Sequence, residues 1–367
     1  MSTKKNKFSK KDSFFMNLAF KLARDRAGLT GENPPVGCVI VKNDEIISIG
    51  QTGLMGRPHA EYSAIKSSKK NLKGSTIYVS LEPCTHYGKT PPCSNLIIKS
   101  KIKKVIFSIM DVDKRTRAKS IKLFKSKKII VKSGLLKKEA NKIYKPYIFN
   151  KSKNLPFVTG KLAVSKDNFI YSKKKLKITN KYSNKITHLL RYRNDSILIS
   201  SKTLNTDNPR LECRINGLSS FSPKKIILDR LLSIKKNSHI CSTSVHKNTV
   251  IFYNRGEQKK INLLKKRGIK LLKLPVNKDN LFDLKSVLKK AFSIGCRNLL
   301  VEGGKNLTNS FLKNKLFNEF YLFKSSDNLG SRGKLNVSSQ LHQLDIKYKN
   351  KSNINSFTGN DIINIYS

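Results

Sequence analysis

Cysteine is sparse: Cys38, Cys84, Cys93, Cys213, Cys241 and Cys296 are spread over 367 residues, too few for a disulfide scaffold. They fit a reducing, cytoplasmic setting. Long apolar runs are also missing. No stretch approaches the roughly 20 apolar residues that span a bilayer. Behind the basic, polar segment 1–12, Phe14, Phe15, Leu18, Ala19, Leu22 and Ala23 fall at helical spacing instead of forming the apolar run of a signal peptide. Neither a membrane nor export is expected. The third shortage is of acids, with 23 Asp+Glu against 75 Lys+Arg and a formal net charge of +52. Charge of that size can mark nucleic-acid binding. Here, however, the lysines are scattered through every segment beside abundant Asn and Ile, the pattern of A- and T-rich codons. The charge should still favour anionic, phosphorylated small molecules, and nucleic acid is not expected as a partner.

What is present is a tight set of metal-type ligands. Pro58-His59-Ala60-Glu61 is followed by the strand-like Thr76-Ile77-Tyr78-Val79-Ser80 and then by Pro83-Cys84, with Pro92-Cys93 nine residues on. One imidazole and two thiolates, His59, Cys84 and Cys93, form a ligand set that zinc takes when its fourth position is left to water. Glu61, two residues past the histidine, is placed to move protons at that water, as in zinc nucleobase deaminases. The competing arrangement is a closed structural zinc knot with His86 as fourth ligand, and its spacing is awkward.

The length suits two domains, divided as 1–150 and 151–367. In the first, a helix over 13–28, a hairpin from Val36–Val41 to Glu45–Ile49, a helix after Pro58, and strands near 76–81, 105–108 and 129–131 alternate as in an α/β fold. A basic connector is expected at 147–154. The second half repeats the alternation, with strands at 157–164, 196–200, 225–228, 249–253, 269–274 and 298–301, a loop at 203–209, and closing strands near 319–323 and 361–366. Glu302-Gly303-Gly304 follows a strand and precedes a helix. Taken alone, that turn is equally a phosphate cradle or a bend that needs small residues.

The eight-residue spacer in Pro83-Cys84-Thr85-His86-Tyr87-Gly88-Lys89-Thr90-Pro91-Pro92-Cys93, together with Asn33-Pro34-Pro35-Val36-Gly37-Cys38, resembles the bifunctional riboflavin-biosynthesis family, a pyrimidine deaminase fused to a reductase. Lys161-x-Ala163-x-Ser165, the helix with His188, Leu190 and Arg191, Asp195, Thr203-x-x-x-Asp207-x-Pro209-x-Leu211-x-x-Arg214, and Glu302-Gly303-Gly304 look like its reductase half. The resemblance implies a cytidine-deaminase-like α/β/α sandwich followed by a dihydrofolate-reductase-like α/β domain. It further implies zinc-dependent deamination of a phosphorylated diaminopyrimidine, then NADPH reduction of its ribosyl group to ribityl. On this resemblance Ala163, Thr203, Asp207, Gly303 and Gly304 contact NADPH, while Asn33, Arg191, Leu211, Arg214 and Glu302 contact substrate. His188 is expected to be structural. Phosphorylated pyrimidines are the expected partners, with further copies of the chain an option. A deaminase with a purely structural second domain and an RNA-acting deaminase are the alternatives. The sequence departs from the family pattern at Val112-Asp113 (usually Pro-Asn), Ala118-Lys119-Ser120 (Gly-Lys-Gly), Asn168 (Gly) and Lys177 (Trp).

Overall fold

The computed structural model describes residues 8–173, 177–242 and 248–367; residues 1–7 of the basic N-terminal segment lie outside them. Two compact units emerge, Met1–Asn154 and Leu155–Ser367.

The first unit begins with α1 (Lys10–Asp25). This helix starts three residues earlier than its apolar spacing predicts and ends before Gly28. The cause is a capping box: Ser9 Oγ accepts from Asp12 N at 3.0 Å and Asp12 Oδ2 accepts from Ser9 N at 2.9 Å. Then come β1 (Gly37–Lys42), β2 (Glu45–Gln51), α2 (Ala60–Ser67), β3 (Thr76–Leu81), α3 (Cys93–Lys99), β4 (Lys104–Ile109), α4 (Lys119–Ser126), β5 (Ile130–Ser133) and α5 (Lys137–Lys153). The sheet order is β2-β1-β3-β4-β5; β1 is antiparallel to both neighbours, while β3, β4 and β5 run parallel. Asn43 and Asp44, both at positive φ, close the β1–β2 hairpin.

The expected connector at 147–154 is instead the last turns of α5, which continues through Pro146. Tertiary anchors hold it: buried Tyr144 lies 2.6 Å from Ser80 Oγ, and Tyr147 donates to Asp111 at 2.9 Å. On the sheet's other side, α2 lies directly on the backbone of β2. A Cβ at Gly50 would sit 2.2 Å from Ala60 O and 2.5 Å from Ala64 N, so only glycine lets the helix that follows His59 approach this closely.

The second unit comprises β6 (Phe157–Val164), β7 (Phe169–Ser172), α6 (Lys181–Tyr192), β8 (Ser196–Ser200), α7 (Ser201–Asp207), β9 (Lys224–Leu228), α8 (His239–Ser242), β10 (Thr249–Tyr253), α9 (Gln258–Lys266) and β11 (Lys270–Lys273). It continues with α10 (Leu284–Ser293), β12 (Asn298–Val301), α11 (Lys305–Lys313), β13 (Glu319–Lys324), β14 (Gly333–Asn336), α12 (Ser338–Lys347), β15 (Lys351–Ile354) and β16 (Ile362–Tyr366). Nine strands line up as β11-β10-β9-β8-β12-β6-β13-β16-β15, with β7 and β14 pairing separately. The first seven are parallel to their neighbours and the last two pairings are antiparallel.

Strand alternation splits the core of this sheet between its two faces. Ile226, Val250 and Phe252 pack with Leu288, Phe311 and Leu344 from α10, α11 and α12. Ile197, Ile227 and Ile251 pack with Leu190, Leu204 and Leu264 from α6, α7 and α9. The expected loop at 203–209 is mostly helix, because Ser200 accepts from Thr203 N at 3.3 Å and caps α7.

Replacing Gly50 by Ala should cost the first unit about 1–3 kcal/mol by forcing α2 off β2. Denaturant unfolding measures this, and a variant as stable as the parent would show that α2 does not rest on Gly50.

Candidate active sites

His59 is the N-cap residue of α2, Cys93 is the first residue of α3, and Cys84 follows the end of β3. His59 Nδ1 lies 3.6 Å from Cys84 Sγ and 3.4 Å from Cys93 Sγ. Bonds of about 2.0–2.1 Å to nitrogen and about 2.3 Å to sulfur, at the tetrahedral angle, require an N–S edge of about 3.5 Å. The three residues therefore fit zinc, and they form a three-membered group among the described residues. His86 is not in it; its Nδ1 is 3.1 Å from Thr116 Oγ1. The α3 N-terminus helps hold charge here, since Cys93 N–H donates to Cys84 Sγ at 3.2 Å. The hydrogen bond from the Cys93 thiol, with further ones from His59 and the Cys93 N–H, holds the Cys84 thiol down to about 4.

Glu61 is 4% exposed in the first turn of α2. Burial, and then the Cys84 charge, push its carboxyl up to about 7, near the value that suits proton transfer in neutral solution. Asn33 is tied to the segment leading into His59: its Nδ2 donates to Gly56 O at 2.9 Å, which leaves its Oδ1 free of that contact.

Glu82, one residue before Pro83-Cys84, is a buried carboxylate the sequence did not single out. It accepts from Asp111 N at 3.1 Å, Ala118 N at 3.1 Å and Ser120 Oγ at 2.7 Å. Thr85 Oγ1 donates to Arg115 O at 3.3 Å. Loop 111–120 is thereby fastened to the strand end that presents Cys84. A carboxylate next to a Pro-Cys motif was the available signal.

In the second unit, a cleft of about 270 Å³ is lined by Lys161, Ala163, Thr203, Asp207, Glu302, Gly303 and Gly304, among others. All five residues expected to meet the cofactor thus line one cleft. Gly304 caps α11 without a side-chain cap bond, so the first N–H groups of that helix are available to an anion. A Cβ on Gly304 would come within 3.8 Å of Thr203 Oγ1, and one on Gly303 within 3.1 Å of Thr308 Oγ1.

Arg191 and Glu302 form a two-pronged pair, Nε–Oε1 2.7 Å and Nη2–Oε2 2.8 Å, and Arg191 Nη1 donates to Glu212 O at 3.1 Å. Burial raises the Glu302 carboxyl, but the Arg191 guanidinium outweighs it and holds the group below its ordinary value. Lys161 is close by, with Nζ 4.9 Å from the Phe323 ring centre; burial pulls its ammonium down, with Glu302 opposing. His188 Nδ1 lies 3.0 Å from Glu212 O and 3.2 Å from Arg214 N. That ring nitrogen thus faces a donor, the Arg214 N–H, and an acceptor, the Glu212 carbonyl, and its tautomer sets which of the two it bonds. Burial and the two arginines lower the His188 pKa, against the Glu212 carbonyl, which raises it. Leu211 is 1% exposed, with its side chain in the core and φ at 56°, so a ligand there would meet only its main chain. Arg214 is exposed.

Residues 156–356 match the RibD C-terminal domain, and residues 9–109 match the cytidine and deoxycytidylate deaminase zinc-binding region. The chain is 32% identical over 357 residues to a riboflavin biosynthesis protein RibD of Aquifex aeolicus, covering 96% of this chain and 97% of that one. The chain belongs to the RibD family.

A RibD protein of Bacillus amyloliquefaciens is also 32% identical, over 85% of this chain and 84% of that one. Among solved structures, a diaminohydroxyphosphoribosylaminopyrimidine deaminase/5-amino-6-(5-phosphoribosylamino)uracil reductase of Thermotoga maritima superposes with a TM-score of 0.76 at 26% identity, over 97% of this chain and 98% of that one. Both halves of a RibD protein are therefore present, a zinc-binding deaminase domain and a reductase domain. Of the departures from the RibD pattern, Asn168 has φ 67°, which asparagine tolerates better than most residues. Lys177 is exposed and is not among the residues lining the cleft.

Zinc analysis of purified variants tests the ligand set. Cys93→Ala should lose the metal and His86→Ala should keep it; loss of the metal in both would make the site a closed knot.

Proposed function

We propose that in this bifunctional deaminase and reductase of riboflavin biosynthesis the first unit hydrolyses the ring amine of 2,5-diamino-6-ribosylamino-4(3H)-pyrimidinone 5′-phosphate. The second unit then uses NADPH to reduce the ribosyl group to ribityl. The observation that carries the first step is the His59–Cys84–Cys93 triangle with a buried carboxyl poised near neutrality beside it.

His59, Cys84 and Cys93 would hold zinc, which would supply a water of lowered pKa. Glu61 takes a proton from the attacking water and returns it to the leaving amine. Asn33 Oδ1 accepts from the pyrimidine, with its amide nitrogen already engaged by Gly56 O.

In the second unit, bound NADPH would supply hydride for C1′ of the open Schiff base. Ala163, Thr203, Asp207 and the Gly303-Gly304 turn would hold the cofactor, with the free N–H groups of the first turn of α11 open to an anionic group. Lys202 and Lys305, which also line the cleft, favour the extra phosphate of NADPH over NADH. Arg191 is 8% exposed and committed to Glu302, so the grip on the substrate's 5′-phosphate falls to exposed Arg214. Arg191 orients Glu302, whose remaining lone pairs accept from ribosyl hydroxyls, and the Lys161 ammonium faces the same end of the cleft. A cleft furnished in this way speaks for a working reductase over a purely structural second domain. Neither the spacer nor the cleft has a use in RNA editing.

Glu61→Gln should lower ammonia release by more than about 100-fold, with zinc content and NADPH oxidation on the deaminated intermediate unchanged. Loss of metal as well would remove the proton-transfer role. Separately, equal rates with NADH and NADPH would remove the assignment of the cleft's lysines.

A further inference from the structure

Lys225 is a buried lysine near the start of a core strand. It sits on β9, paired in register with Ile197 of β8 and Thr249 of β10. Alternation places it on the same face as Ile227, among the residues that α6 and α7 cover. It is 2% exposed. Its Nζ lies 3.0 Å from Glu212 Oε1. A buried pair of this kind adds little net stability over apolar side chains of the same volume, so its presence is better accounted for by what it orients.

Glu212 is the hub of that orientation. Its carboxylate takes Lys225, and its carbonyl accepts from Arg191 Nη1 at 3.1 Å. The residues around it are fixed as well: the Leu211 side chain is in the core, Cys213 N donates to Ser222 Oγ at 3.1 Å, and Arg214 N lies 3.2 Å from His188 Nδ1. Arg191 in turn holds both oxygens of Glu302, next to the Gly303-Gly304 turn. An unbroken series of polar contacts therefore runs from the middle of the sheet to the edge of the cleft.

We propose that Lys225 is a positioning residue of the reductase: by clamping Glu212 from inside the core it sets the carbonyl that aims Arg191, and through Arg191 it sets Glu302, while fixing the loop that carries Arg214. This rests on the reductase reading given above. The role is one of geometry, since Lys225 is too deeply buried to touch a ligand. It predicts that substrate binding and turnover depend on Lys225 while cofactor binding at Thr203 and Gly304 does not.

The test uses the full chain, assayed for NADPH oxidation with the deaminated intermediate. Lys225→Met should lower kcat/KM at least about tenfold, toward the hundredfold that an ångström of misplacement costs, mainly through KM for the pyrimidine. NADPH affinity, read by fluorescence, should stay unchanged, and Lys225→Arg should recover most of the loss. Unchanged kcat/KM in a folded Lys225→Met variant overturns the proposal, as does an equal loss of NADPH affinity. Should Lys225→Met fail to fold through its unpaired carboxylate, the double variant Lys225→Met with Glu212→Met removes both charges. It should fold and still show the raised KM. Wild-type KM in that variant, or its failure to fold, makes the pair a fold determinant only. A parent protein that oxidises no NADPH would fail the reductase reading itself, and the Lys225 role with it.

Discussion

Both reaction centres depend on the join between the carboxyl end of a strand and the first turn of a helix. The first N–H groups of a helix have no partner within it and carry partial positive charge, so whatever stands there is drawn toward anions. In the first unit, Cys93 opens α3 and its own N–H donates to the Cys84 sulfur, while His59 caps α2. In the second, Gly304 caps α11 and Thr203 lies in the first turn of α7. The strands fix these joins in the sheet, and crevices outside the carboxyl ends of parallel strands are where α/β proteins bind ligands. Moving β2 or β8 relative to its neighbours would carry the active side chains with it.

The charge distribution follows a different logic at the surface and in the interior. A net charge of +52 is spread over exposed lysines, where water and salt screen it. Inside, every buried charged group described here has a structural reason. Glu82 receives three donors, Glu302 is matched by Arg191, and Lys225 is matched by Glu212. At Glu61, burial and then the neighbouring Cys84 thiolate raise the pKa, outweighing the opposing His59 charge.

How much of this was legible depended on whether chemistry was written in residue type or in packing. The cluster of His59, Cys84 and Cys93 could be read because His and Cys are rare here and their spacing is particular. The parallel core strands could be read because they are short apolar runs, and the strand at Phe157–Val164 agrees to the residue with its expected bounds. Helix ends were misjudged where a side-chain cap decides them, as at Ser9 and Ser200, and α5 ran on through Pro146 because Tyr144 and Tyr147 are anchored by groups distant in sequence. Leu211 has its side chain in the core, so the contact expected of it would be made by its main chain. Lys225 could not be picked out at all: in a chain with 75 basic residues, one more lysine carries no signal until burial singles it out.

The departures from the RibD pattern show how backbone geometry can outlast the residue that usually supplies it. Asn168 and Ala118 stand where glycine is usual, and both keep positive φ, at 67° and 61°. Asparagine adopts that conformation cheaply, whereas alanine gives up roughly 1–2 kcal/mol to the contact between its Cβ and the following carbonyl. Ser120, also at a usual glycine, supplies an opposing term: its hydroxyl donates to the buried Glu82 carboxylate at 2.7 Å, and a hydrogen bond to a charged group contributes about 1.5–3 kcal/mol. The two changes sit two residues apart at the start of α4, and Glu82 also accepts the N–H of Ala118 itself. The carboxylate that steadies the Cys84 strand end thus holds the strained residue in place, so the chain leading into α4 keeps its course without its glycines.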